Sequence, residues 1–142
     1  MSVYRVKTSE LRQLVEPLDG CMWNCGPIDE DDIRTAKENG GFEYRSWDGD
    51  GVVHKELTLE EARLFHTRRI AALLDKGHDG RIIMILENHT DNPSAKLNDE
   101  NHSLAAAYLR GDVEIELVLA ASNPDGIKRV LPSATVVTST DA

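Results

Sequence analysis

Long apolar runs are missing from this sequence. None approaches the roughly 20 residues needed to cross a bilayer, and the opening MSVYRVKTSE lacks the apolar stretch of a secretory signal. A cytoplasmic location without membrane association is expected. Cations are scarce as well: 16 Lys and Arg stand against 25 Asp and Glu, a formal net charge of −9. Broad contact with a nucleic-acid backbone takes clustered cations to displace counterions, so direct binding of duplex DNA is not expected. Cysteine is limited to Cys21 and Cys25. A C-x3-C pair supplies only half of a zinc ligand set. Two reduced thiols beside Met22 and Trp23 are expected, and no metal site. No internal repeat and no domain linker is visible.

What is present suits one globular domain of 142 residues with a 40% hydrophobic share. Residues 3–6 read as a strand, and Ser9 reads as the cap of a short helix through residue 15. Gly20, Gly26 and Pro27 break the next stretch. Residues 29–39 read as a helix with Asp29, Glu30, Asp31 and Asp32 in its first turn, where carboxylates favour the helix dipole. Residues 42–57 read as a hairpin about Asp48-Gly49-Asp50-Gly51.

The plainest helix is 58–76. Thr58 and Glu61 have capping-box spacing, and Leu59, Ala62, Phe65, Ile70 and Leu73 form its apolar stripe. His66, Arg68 and Arg69 read as a solvated face of that helix, with an anion site as the rarer reading. Residues 81–86, RIIMIL, read as a central strand. Residues 87–96 read as a loop, with Glu87 and His89 at the mouth of that strand. Residues 103–110 read as a helix, 113–119 as a half-buried strand, and 127–131 with 135–137 as edge strands; 138–142 read as a frayed tail. The sum is an α+β fold with a small mixed sheet and helices.

Chemistry concentrates in LNDENHSLAAAYLRGD, residues 97–112. A polar turn precedes a helix that opens on small residues. The free N–H groups of such a helix favour an anion in the turn. On Asp99, Asn101, His102, Leu104, Ala105, Ala106 and Gly111, the chain resembles the ParB/sulfiredoxin-like superfamily. The strand and short helix at 4–11, the helix at 58–76 and the strand at 81–86 resemble that family's opening elements. Residues 18–57 have no counterpart there and read as an insertion in a single domain spanning 1–142. The resemblance implies a nucleotide-binding turn at Asp99, Glu100, Asn101, His102 and Ser103, with a nucleotide such as ATP or CTP and magnesium as cofactor.

The chain departs from the family motif at two positions. Glu100 replaces a glycine that lets phosphate approach the backbone, and Ser103 replaces an arginine whose rigid fork grips phosphate. Asn101 stands where sulfiredoxins carry cysteine, which speaks against peroxiredoxin repair. These departures imply a degenerate nucleotide site in a chain that binds another macromolecule, as an accessory or inhibitor of a phage or plasmid. Trp23 and Trp47, both in the insertion, are the expected anchors for a protein partner. Two alternatives stay open. One is an active nucleotide-dependent phosphotransferase or nuclease using Asp99 and His102; the other is an acidic DNA mimic. His102 reads equally as an acid–base group and as a structural histidine beneath the turn.

Overall fold

A computed structural model describes residues 2–45, 57–77, 82–97 and 100–139. Among these the chain is α+β. In order it forms strand β1 (Ser2–Lys7), helix α1 (Thr8–Leu14), helix α2 (Glu30–Glu38), helix α3 (Leu59–Lys76), strand β2 (Ile82–Glu87), strand β3 (Ser94–Leu97), helix α4 (Asn101–Arg110), strand β4 (Glu114–Ala121), helix α5 (Ile127–Val130) and strand β5 (Thr135–Ser139). The chain divides into two compact units. One comprises Met1–Glu16, Asp79–Asn101 and Gly111–Ala142, and the other Pro17–His78 and His102–Arg110.

The first unit holds a five-stranded sheet in the order β3-β2-β4-β1-β5. β2 and β4 run parallel, with Ile82 opposite Leu117 and Leu86 opposite Ala121. Every other pairing is antiparallel, and Val3 lies opposite Val118. Along β2 the burial alternates: Ile82, Met84 and Leu86 are buried, while Ile83 and Ile85 are half-buried. β2 is therefore an interior strand of the sheet with unequal faces. The carboxyl ends of the parallel pair are pinned by Asn88. Its Oδ1 accepts from Asn123 N at 2.8 Å and from Ser122 Oγ at 3.2 Å, and its Nδ2 donates to Asn123 O at 2.8 Å. A buried amide of this kind satisfies backbone groups that the ladder no longer reaches.

Three sequence expectations fail in this unit. Residues 94–97 are a strand rather than loop, because β3 is an edge whose only buried side chain is Leu97, too little to leave an alternation. Residues 127–130 are a helical turn rather than a strand. The Pro124–Gly126 turn sets a helical direction, which overrides the β-branched Ile127 and Val130. The cap of α1 also falls elsewhere: Lys7 takes the N-cap position and no side chain bonds there.

The second unit is helical. Thr58 Oγ1 accepts from Glu61 N at 3.1 Å and Glu61 Oε1 from Thr58 N at 3.2 Å, completing the capping box of α3. Such a cap contributes about 1 kcal/mol. Asp29 Oδ1 caps α2 through Asp31 N at 2.7 Å. Arg34, held by Glu30 at 2.8 Å, reaches the Leu109 carbonyl at 3.0 Å and so satisfies a terminal acceptor of α4. Leu18, Trp23, Cys25, Ile28, Ile33, Ala62, Ile70, Ala71, Leu73, Ala105, Ala106 and Leu109 make one core. Before α2 the chain forms two 3-10 turns, Pro17–Asp19 and Cys21–Trp23. Gly20 joins them at φ +74°, and its carbonyl accepts from both Trp23 N and Cys25 N at 3.2 Å. The expected hairpin at 42–57 falls largely on 46–56, outside the described residues; Phe42–Arg45 carry no strand pairing.

Candidate functional site

The expected turn is entered from β3. Ser94 lies opposite Glu87 and Leu97 opposite Met84, so β3 carries the chain away from the Glu87 end of β2 before α4 begins. Glu87 and His89 are thus left at the carboxyl ends of the parallel strands. There His89 Nδ1 lies 3.0 Å from Ser122 Oγ and 3.6 Å from Glu87 Oε2. Among the described residues, no three His, Cys, Asp or Glu side chains gather as a metal site.

Asp99 lies outside the described residues, as does Trp47. Glu100 is half-buried just ahead of α4, and Asn101 is the first residue of the helix. Asn101 Oδ1 is buried and meets no hydrogen-bond donor among the described residues. From His102 to Leu109 every residue is buried. Ser103 is only 6% exposed. Ser103, expected to face a phosphate, is therefore an interior residue of this helix.

His102, 7% exposed, closes into a stack of rings. Its Nε2 lies 2.7 Å from His66 Nδ1 on α3, with both side chains buried. Trp23 lies flat against both imidazoles, with centroids at 4.2 Å from His66 and 4.4 Å from His102 and interplanar angles of 14° and 9°. Phe65 meets His66 edge-on at 5.5 Å. Across the short contact one imidazole donates and the other accepts, the roles being set by the tautomers of the two rings. Burial, then the neighbouring His66 and Arg69, hold the His102 pKa well below its ordinary 6.5. Stacking and a buried hydrogen bond each contribute about 1 kcal/mol. The arrangement locks the start of α4 to α3 and to the Cys21–Trp23 turn.

Two sequence expectations change at this stack. Trp23 is 8% exposed, so it is a core residue rather than an open partner anchor. His66 is fully buried rather than part of a solvated face. The signal for His66 was in the spacing: it sits four residues from both Ala62 and Ile70, on the same stripe. Arg69 does not point to an open anion site either; its Nη1 donates to the carbonyls of Glu43 and Tyr44 at 3.4 and 3.3 Å. Cys21 is exposed and Cys25 buried, both as free thiols, and burial pushes the Cys25 thiol up.

Fold and site together define an α+β chain with a mixed sheet and a closed, ring-stacked histidine pair at the head of α4. No protein-family profile, no curated protein and no solved structure matches the chain.

Proposed function

We propose that this chain acts by binding another macromolecule, as an accessory or inhibitor protein, and that its segment at residues 99–103 is a retired nucleotide site. One observation carries the reading: His102, the acid–base candidate, is buried under Trp23 with its Nε2 engaged by His66. A base so engaged does not meet a substrate arriving from solvent. For binding, the helical unit exposes Tyr44, an aromatic group of the kind that anchors interfaces, together with Met22 and Leu59.

Calorimetric titration with ATP, ADP and CTP, with and without magnesium, tests the first half. The expected result is no dissociation constant of about 10 μM or tighter. Tighter binding, or nucleotide turnover lost in His102→Gln, replaces the reading with a nucleotide-dependent enzyme. The second half is tested by crosslinking in cells that express the protein. A heteromeric complex is expected that weakens in the folded double variant Tyr44→Ala, Leu59→Ala. A strictly self-associated or free chain overturns it.

A further inference from the structure

Helices α2 and α3 meet through polar faces as well as apolar ones. Ile33 is the only buried residue of α2. A cavity of about 460 Å³ opens between Asp32 of α2, its C-cap Asn39, and Glu60, Arg63, Thr67 and Arg68 of α3. Small-molecule sites span about 300–1,000 Å³, so the volume suits a compact ligand. Both signs of charge line it. Among the described residues, Asp32, Glu60, Arg63 and Arg68 form no ion pair with one another or with any other side chain.

Arg63 is fixed in place. Its Nε donates to the Cys25 carbonyl at 3.1 Å, and its Nη2 packs over Gly26, where a Cβ would stand 3.1 Å away. Gly26 itself takes φ +74°, a conformation that favours glycine. Thr67, buried one turn further on, donates its hydroxyl proton to the Arg63 carbonyl at 2.8 Å. A guanidinium held through Nε and packed on one side keeps Nη1 to donate to a carboxylate, at little further cost in order.

The spacing of charge selects the ligand. Glu60 and Arg68 are eight residues apart on one helix, about 12 Å along its axis. An extended tripeptide separates its ammonium from its carboxylate by about 10 Å. A polyanion such as a nucleotide would face Asp32 and Glu60, and a polyamine would face the two arginines; only a ligand with separated opposite charges satisfies all four.

We propose that the α2–α3 cleft binds a short zwitterionic peptide of about three residues, with its carboxylate on Arg63 and Arg68 and its ammonium on Asp32 and Glu60. This reading is independent of the macromolecular partner, and its failure leaves that proposal standing. The probe is Ala-Leu-Ala with free ends, compared with its N-acetylated and C-amidated forms by calorimetry and by ligand-observed NMR. Saturable binding of the free tripeptide is expected, weakened at least about tenfold by blocking either end. Glu60→Ala and Arg68→Ala change exposed side chains and leave the circular dichroism intact; each weakens the free tripeptide at least about fivefold. Arg63→Lys keeps the charge but loses the fork, and weakens it similarly. No saturation by about 5 mM tripeptide, equal binding of free and doubly blocked peptide, or wild-type affinity in both alanine variants overturns the proposal.

Discussion

At the scale of single residues, the ring stack makes stability depend on pH. In the folded chain burial, then His66 and Arg69, keep His102 neutral with a pKa well below 6.5. Unfolding releases it to the ordinary value, where it binds a proton as pH falls past 6.5. The unfolded state then holds more protons than the folded one. Stability is therefore full above about pH 7.5 and declines below it, with a limiting slope of about 1.4 kcal/mol per pH unit for one proton. Urea denaturation at pH 7.5, 6.5 and 5.5 measures this, and a folded His102→Gln variant should lose most of the slope. An unchanged slope in that variant would place the effect elsewhere. The sequence spoke unevenly about these residues. His102 stood out as a motif residue, but its role did not, because a histidine's function rests on what it faces. His66 could be placed by its four-residue distance from Ala62 and Ile70. Trp23 could not, since the turns that bury it are set by Gly20 rather than by any apolar period.

At the scale of elements, two glycines with the same backbone sign separate space from strain. Gly20 takes φ +74° and a Cβ there would stand 1.7 Å from the Gly26 carbonyl oxygen; Gly40 takes φ +69° with nothing within 4 Å. Alanine at position 40 meets only the left-handed penalty, about 1–2 kcal/mol. Alanine at position 20 must also move the Gly26 backbone and with it the turn that carries Trp23, so its loss should be roughly 3 kcal/mol or more. Chemical denaturation of Gly20→Ala and Gly40→Ala ranks them, and equal losses would refute the close approach. The same contrast explains which elements could be read beforehand. α3 announces itself through Thr58, Glu61 and a stripe of side chains, all local signals. β4 does so through alternation that ends in buried Leu117 and Leu119. β3 does not, because Ser94, Ala95 and Lys96 owe their extended form to pairing with Glu87, Leu86 and Ile85. α5 misleads for the complementary reason: Ile127 and Val130 favour strands, while the turn before them dictates a helix.

At the scale of the whole molecule, charge dominates what the surface can meet. A net charge of −9 repels phosphate backbones, and no shift of duplex DNA is expected at low micromolar protein and about 150 mM salt. A salt-sensitive gel shift under those conditions would contradict the reading. The sheet imposes a different demand, one of time. β1 lies between β4 and β5, and Arg5 meets Glu116 across 111 positions of chain. Both neighbours of β1 thus follow it only at long range along the chain. At about 5–20 residues per second, β1 waits on the order of ten seconds for a neighbour. During that interval Val3 and Val6 are an unprotected template for another nascent chain. Arg5 and Lys7 flank Val6 and are exposed, and charges so placed discourage pairing with a copy of the same strand. Arg5, which in the finished sheet pairs with Glu116, has before that helped to keep its own strand single.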